Sequence, residues 1–406
     1  MTYQTDPVLI WQANPYYSIM VETVLLIGIV VSIFVGFNIG GSSTGIAWGP
    51  AVGAGLLSKV AAAGLMTFFV FLGGFTVGQN VMDTLAGDII TIEITLIAGV
   101  GVLFFIGLGI LIANVFGVPV PTSMTTVGSI AGLGLATGTL NYETIGVIVS
   151  WWIVTPIIGF WVGAIVGRYI YPELNRRFEI KSSDGPLLTL DRTSSVPKPA
   201  FGPNTTVQEF VGTFVVLVIG CYMAFSAGAS NVPNAVAPLV SSGALEVNTA
   251  VVIATVAIGF GGFTIARRTM ESVGTELSDI PLLAALVVMV TAATITTALS
   301  WAGIPISLVM ASVMTIVGLG WGRATRPITA QEAIRGDSEK EIAPGALKAE
   351  ADTPVAEIGE EEPEEVLHAG DLFNPRAVMK YVSMWIIGPV TSTVLAYGFF
   401  IVTGIA

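Results

Sequence analysis

Ten apolar runs lie along the chain, at residues 18–37, 60–81, 92–116, 117–137, 144–167, 208–227, 247–266, 281–300, 303–322 and 381–403. Most reach the ~18–20 residues that a helix needs to cross a hydrocarbon core of ~30 Å. They predict an all-α integral membrane protein, because a helix satisfies its own backbone polar groups where no water can. Two further stretches, 40–57 and 228–245, are interrupted by Gly, Ser and Pro. They read as broken or re-entrant segments that dip into the membrane and return.

The chain also repeats itself. At an offset of 188, Phe37 aligns with Phe225, Gly40 with Gly228, Ser42 with Ser230, Pro50 with Pro238 and Gly55 with Gly243. The register continues without a gap to Met82-Asp83-Thr84 against Met270-Glu271-Ser272. At an offset of 186, Gly117-Val118-Pro119-Val120 matches Gly303-Ile304-Pro305-Ile306. Each half then holds five crossings. An odd number makes the second half enter the membrane from the opposite side, so the expected architecture is an inverted repeat of two five-crossing halves. Gly/Pro-broken segments in matching positions of an inverted repeat point to a secondary transporter, with its site at the repeat interface.

Charge orients this scheme. Bases gather in 168–207, at Arg267 and Arg268, and in 323–380, and the positive-inside rule places all three on the cytoplasmic side. The expected layout is an extracellular N-terminus over 1–17 and a first transmembrane repeat over 18–167. A cytoplasmic loop over 168–207 follows, then four crossings of the second repeat over 208–322. An acidic, flexible cytoplasmic loop covers 323–380, and the last crossing lies in 381–406. Both termini fall outside a multi-pass protein of the cell membrane. The 323–380 loop carries 13 acids and 7 bases, too polar to bury a core of its own.

Composition closes other routes. Apolar residues make up 53% of the chain and charged residues 11%, against ~25% charged in an ordinary soluble domain. A soluble enzyme or a nucleic-acid binder is excluded. Cys221 and His368 are the only residues of their kinds, so there is no intrachain disulfide, no His-based metal site and no His-based triad. No cofactor is expected beyond a coupling ion, H⁺ or Na⁺.

The Gly/Pro-rich segments hold small hydroxyl and amide groups instead: Ser42, Ser43, Thr122, Ser123, Ser230, Asn231, Asn234 and Ser307, with no charged side chain among them. Free N–H groups at helix starts, joined by hydroxyl donors, hold small anions. Pro119 and Pro305 fit the N1 position of a helix, which would put Thr122, Ser123 and Ser307 in first turns. These residues are the candidate substrate site.

The segments resemble those of the inorganic phosphate transporter (PiT) family, whose repeats each carry a GANDVAN-type motif early and a GLPVSTTH-type motif late. Residues 40–49, GGSSTGIAWG, and 228–238, GASNVPNAVAP, fall on the early motifs. Residues 117–124, GVPVPTSM, and 303–310, GIPISLVM, fall on the late ones. The resemblance implies a sodium- or proton-coupled symporter of tetrahedral oxyanions in the bilayer, with the anion between the repeats; a homodimer is also allowed. The motif aspartates become Ser43 and Asn231, and the late-motif histidines become Met124 and Met310. Sodium thereby loses two anionic ligands. If a proton couples transport instead, Glu22 and Glu209 near the starts of the repeats are the candidate carriers. The FNIGxS wording at 37–42 is similar to the sulfate-permease branch. Sulfate only accepts hydrogen bonds, and a site without carboxylates would discriminate less against it. Phosphate stands first on the breadth of the family. A proton-coupled sulfate permease is the alternative, and a passive anion channel a further one.

Overall fold

The computed structural model describes residues 15–53, 55–115, 121–171, 173–174, 188–191, 198–201, 206–264, 282–324, 354–356, 366–368 and 375–405. Among them are eleven α-helices: α1 (Pro15–Gly53), α2 (Lys59–Phe75), α3 (Gly78–Asp83), α4 (Leu96–Val115), α5 (Thr122–Thr137), α6 (Tyr142–Ile165), α7 (Val207–Ser241), α8 (Val247–Thr264), α9 (Leu282–Trp301), α10 (Leu308–Ala324) and α11 (Pro375–Thr403). Two short antiparallel ladders, β1 (Leu188–Asp191) with β2 (Lys198–Phe201) and β3 (Pro354–Ala356) with β4 (Val366–His368), interrupt the all-helical expectation inside the two large loops. The N-terminal segment 1–14, the Arg267–Arg268 pair and most of both loops lie outside the described residues.

Each expected run holds a helix, but the helices are not equally long. Six are long and apolar enough to cross a membrane, and seven if α2 and α3, bent by 62°, form one span. The segments at Leu96–Ile112 and Leu308–Gly322 are apolar but shorter. The shortfall has a local cause at α10. Residues 304–307 lead into it without helical structure, so the apolar run is longer than the helix within it.

The early Gly/Ser-rich segments correct the sequence reading. They are not broken. Each is the C-terminal part of one continuous helix, α1 with 39 residues and α7 with 35. Pro233 and Pro238 are carried inside α7. Small residues here allow close packing, the usual role of Gly and Ser between membrane helices. A Cβ on Gly40 would sit 1.9 Å from the Ile258 carbonyl oxygen, and one on Gly228 2.2 Å from that of Val70. The two contacts are the same contact at the offset of 188. Another pair behaves alike: Gly73 meets the Phe225 carbonyl at 1.9 Å, and Gly261 meets that of Phe37 at 2.0 Å.

Packing thus exchanges helices between the halves. α1 lies on α8 while α7 lies on α2, and α5 lies on α11 while α10 lies on α6. α1 and α7 even end alike, in Gly55 (φ 71°) and Gly243 (φ 67°), the left-handed geometry that glycine adopts without strain.

Candidate functional site

Two long helices and two helix starts meet in the interior. α7 presents Ser230, Asn231 and Asn234 close to one face, and α1 presents Ser43. α5 begins at Thr122 and Ser123, and α10 begins just after Ser307. All seven side chains are buried, none more than 6% exposed. Ser42 lies in α1, but its side chain is outside the described residues.

Hydrogen bonds tie the group together. Thr122 Oγ1 donates to Asn231 Oδ1 at 2.6 Å, and Asn231 Nδ2 donates to Ser43 Oγ at 3.3 Å. Ser123 Oγ and Ser230 Oγ both donate to the Ile306 carbonyl, at 2.9 and 2.7 Å. Asn234 Nδ2 lies 3.0 Å from Ser123 Oγ and 3.0 Å from the Ser230 carbonyl. Ser43 and Asn231 are equivalent positions of the repeat. Here two equivalent positions of the sequence repeat touch each other.

The helix starts supply donors. Thr125 N–H bonds back to the Pro121 carbonyl at 3.2 Å, so the amides of Thr122, Ser123 and Met124 have no partner within α5. In α10, Ala311 N–H reaches the Ser307 carbonyl at 3.2 Å and Met310 N–H reaches Ser307 Oγ at 3.3 Å. Ser307 is therefore the N-cap, not a first-turn residue, and Leu308 and Val309 keep unpaired helix amides. Pro305 lies in the non-helical lead-in rather than at N1, and Pro119 is outside the described residues. Because the early segments remain helical, the open amides come from α5 and α10 alone.

The two candidate proton carriers lie elsewhere. Glu22 is exposed near the start of α1, ~30 Å along the helix from Ser43 at 1.5 Å per residue. Glu209 is buried, at 5% exposure, in the first turn of α7 beside its cap Thr206, a similar distance from Ser230. It is the one charged side chain among the buried described residues.

Residues 39–396 match the profile of the PHO4 phosphate transporter family, which covers most of the chain. The chain belongs to the phosphate transporter family. It is 29% identical over 305 residues to the sulfate permease CysP of Bacillus subtilis, covering 73% of this chain and 77% of that protein. It is 25% identical over 391 residues to a putative phosphate permease of Chlamydia pneumoniae, covering 75% and 90%. Its fold is similar to a solved structure titled the sodium-dependent phosphate transporter, with a TM-score of 0.63 at 19% identity over 94% of this chain and 100% of that one. The family and this neighbour are transporters, not enzymes.

Against that family background, one group escaped the sequence reading. Met124 and Met310, which stand where the motif histidine is expected, pack with Trp385 in one buried cluster, and Trp152 packs against it. Trp152 Nε1 donates to the Pro305 carbonyl at 2.9 Å, next to the Ile306 carbonyl of the site. A third register was available to find it. Val149-Ser150-Trp151-Trp152-Ile153 repeats as Val382-Ser383-Met384-Trp385-Ile386, with Pro156 matched to Pro389. The acidic insertion moves this pair to an offset of 233 and hides it from a search at 186 or 188.

Proposed function

We propose that this chain is a secondary-active symporter of inorganic phosphate or a similar tetrahedral oxyanion. The anion binds at Ser43, Thr122, Ser123, Ser230, Asn231, Asn234 and the Ser307-capped start of α10. The observation that carries the reading is the convergence of these groups, without a charged side chain, where Ser43 and Asn231, equivalent positions of the sequence repeat, touch. Such a site holds an anion by hydroxyls and open amides and can release it again. The halves are inverted in the membrane, as the alternation of basic and acidic loops supports.

Sulfate transport is the second reading, favoured by the lack of a carboxylate in the cluster and by the likeness to a sulfate permease. The coupling ion is a proton rather than sodium, since neutral oxygens alone hold a buried sodium ion less well than carboxylates do. The test is uptake of labelled phosphate and labelled sulfate into proteoliposomes, each with and without sodium, under an imposed inward proton gradient. Accumulation above the outside concentration, driven by the proton gradient, is expected. Uptake that stops at equilibrium would identify a passive channel instead.

Orientation has its own test. In a Cys221→Ala background, Gly345→Cys is expected to react with an impermeant maleimide only after the cells are permeabilised. Labelling of intact cells would reverse the topology.

A further inference from the structure

Within the cluster almost every polar atom is matched, and the one that is not has a definite sign. The hydroxyl protons of Ser123 and Ser230 both go to the Ile306 carbonyl and fill its two lone pairs. The hydroxyl proton of Thr122 goes to Asn231 Oδ1. The orientation of the Asn234 amide is fixed, because the Ser230 carbonyl, 3.0 Å from Nδ2, can only accept. Asn234 Oδ1 is then left fully buried with no donor. Further along α5 the hydroxyls of Thr126 and Ser129 also lack partners. A hydroxyl can turn to give or to accept, so these two carry no sign, whereas Oδ1 only accepts. At the starts of α5 and α10, the helices that bear Thr122 and Ser123 and follow Ser307, the amides of Thr122, Ser123, Met124, Leu308 and Val309 have no partner within their helices and only donate.

Several donors and a single acceptor are the complement of a tetrahedral oxyanion that keeps a proton. Resting on the oxyanion-transport reading above, we propose that Asn234 Oδ1 accepts the proton of a protonated oxyanion. Hydrogenphosphate is such an anion and hydrogenarsenate its analogue. Asn234 is thereby the residue that selects phosphate against sulfate. Sulfate carries no proton near neutral pH, so binding it would leave Oδ1 buried and unpartnered, a disadvantage of about 10- to 100-fold in apparent affinity. The acceptor does not have to be a carboxylate. A neutral amide oxygen serves, and it adds no negative charge to repel the anion.

The experiment is competition against labelled phosphate uptake by the full chain in proteoliposomes at pH 7. Arsenate is expected to compete with an apparent affinity close to that of phosphate, and sulfate and selenate at least about tenfold more weakly. Asn234→Leu keeps the branching at Cγ and removes the acceptor, and is expected to shrink the phosphate-to-sulfate ratio by about tenfold. The ratio is the readout because loss of the amide donors weakens both anions together. Should Asn234→Leu not assemble, Asn234→Ala removes the same acceptor with a smaller side chain and is expected to shrink the ratio alike, and the competition series on the unmutated chain decides by itself. Equal competition by sulfate and arsenate would overturn the inference and leave oxyanion transport standing. Accumulation of neither phosphate nor sulfate would remove the transport reading and the inference with it.

Discussion

Adding a single methyl group at Gly40 is expected to prevent most of the chain from assembling. The new Cβ would lie 1.9 Å from the Ile258 carbonyl oxygen and 2.7 and 2.9 Å from that residue's carbonyl carbon and Cα. All three are backbone atoms, so no side chain can turn aside, and α1 and α8 must separate. Overpacking a well-filled interior costs about 1–3 kcal/mol, and here the displaced helix also carries Ser43. Gly228→Ala meets the same obstacle at Val70 and is expected to behave alike. Gly64→Ala is the control, since nothing lies within 4 Å of a Cβ at that position of α2. The measurement is the monodisperse fraction on size exclusion in detergent, together with the thermal midpoint. Normal assembly of Gly40→Ala and Gly228→Ala, matching Gly64→Ala, would show that the halves are not held by these crossings.

The same glycines mark where the sequence was legible and where it was not. The offset of 188 that pairs Gly40 with Gly228 is plain in the residues, and it returns in space as paired helix crossings. Conformation was not legible there. Gly, Ser and Pro weaken a helix in water, but Gly and Ser also let two membrane helices touch backbone to backbone. Composition alone does not separate the two, and α1 and α7 take the second course. The residue types of the site were legible because their chemistry is sparse in so apolar a chain. The Ile306 carbonyl was not, since every residue has one and only the fold selects it. Ser307 was found, but its role shifted from first turn to cap because the helix begins only at Leu308, three residues past Pro305. Glu22 and Glu209 were chosen as acids inside apolar runs. A run does not tell depth, and both stand at helix starts, far from the cluster.

Replacing Asn231 by aspartate is expected to make transport depend on sodium. In the unmutated chain Asn231 accepts from Thr122 at 2.6 Å and donates to Ser43, its mate in the sequence repeat, at 3.3 Å, and it is 6% exposed. A neutral amide suits this place, and phosphate uptake by the unmutated chain is expected to change little when sodium is omitted. Aspartate keeps the oxygen that Thr122 donates to, but it loses the amide protons that reach Ser43 and adds a buried charge. An unpaired buried charge costs several kcal/mol unless a counter-charge joins it. Sodium can supply that charge beside the hydroxyls of Ser43 and Thr122, and without it the carboxylate repels the arriving anion. Uptake by Asn231→Asp is therefore expected to fall at least about tenfold without sodium, ~1.4 kcal/mol in effective binding, and to recover when sodium is added. The comparison is made in proteoliposomes at fixed ionic strength, with potassium replacing sodium. Strict sodium dependence of the unmutated chain would show that neutral oxygens suffice for the ion, and the coupling scheme would fall. An assembled Asn231→Asp protein inactive in both salts would show that no cation reaches this position, and would exclude it as a coupling site.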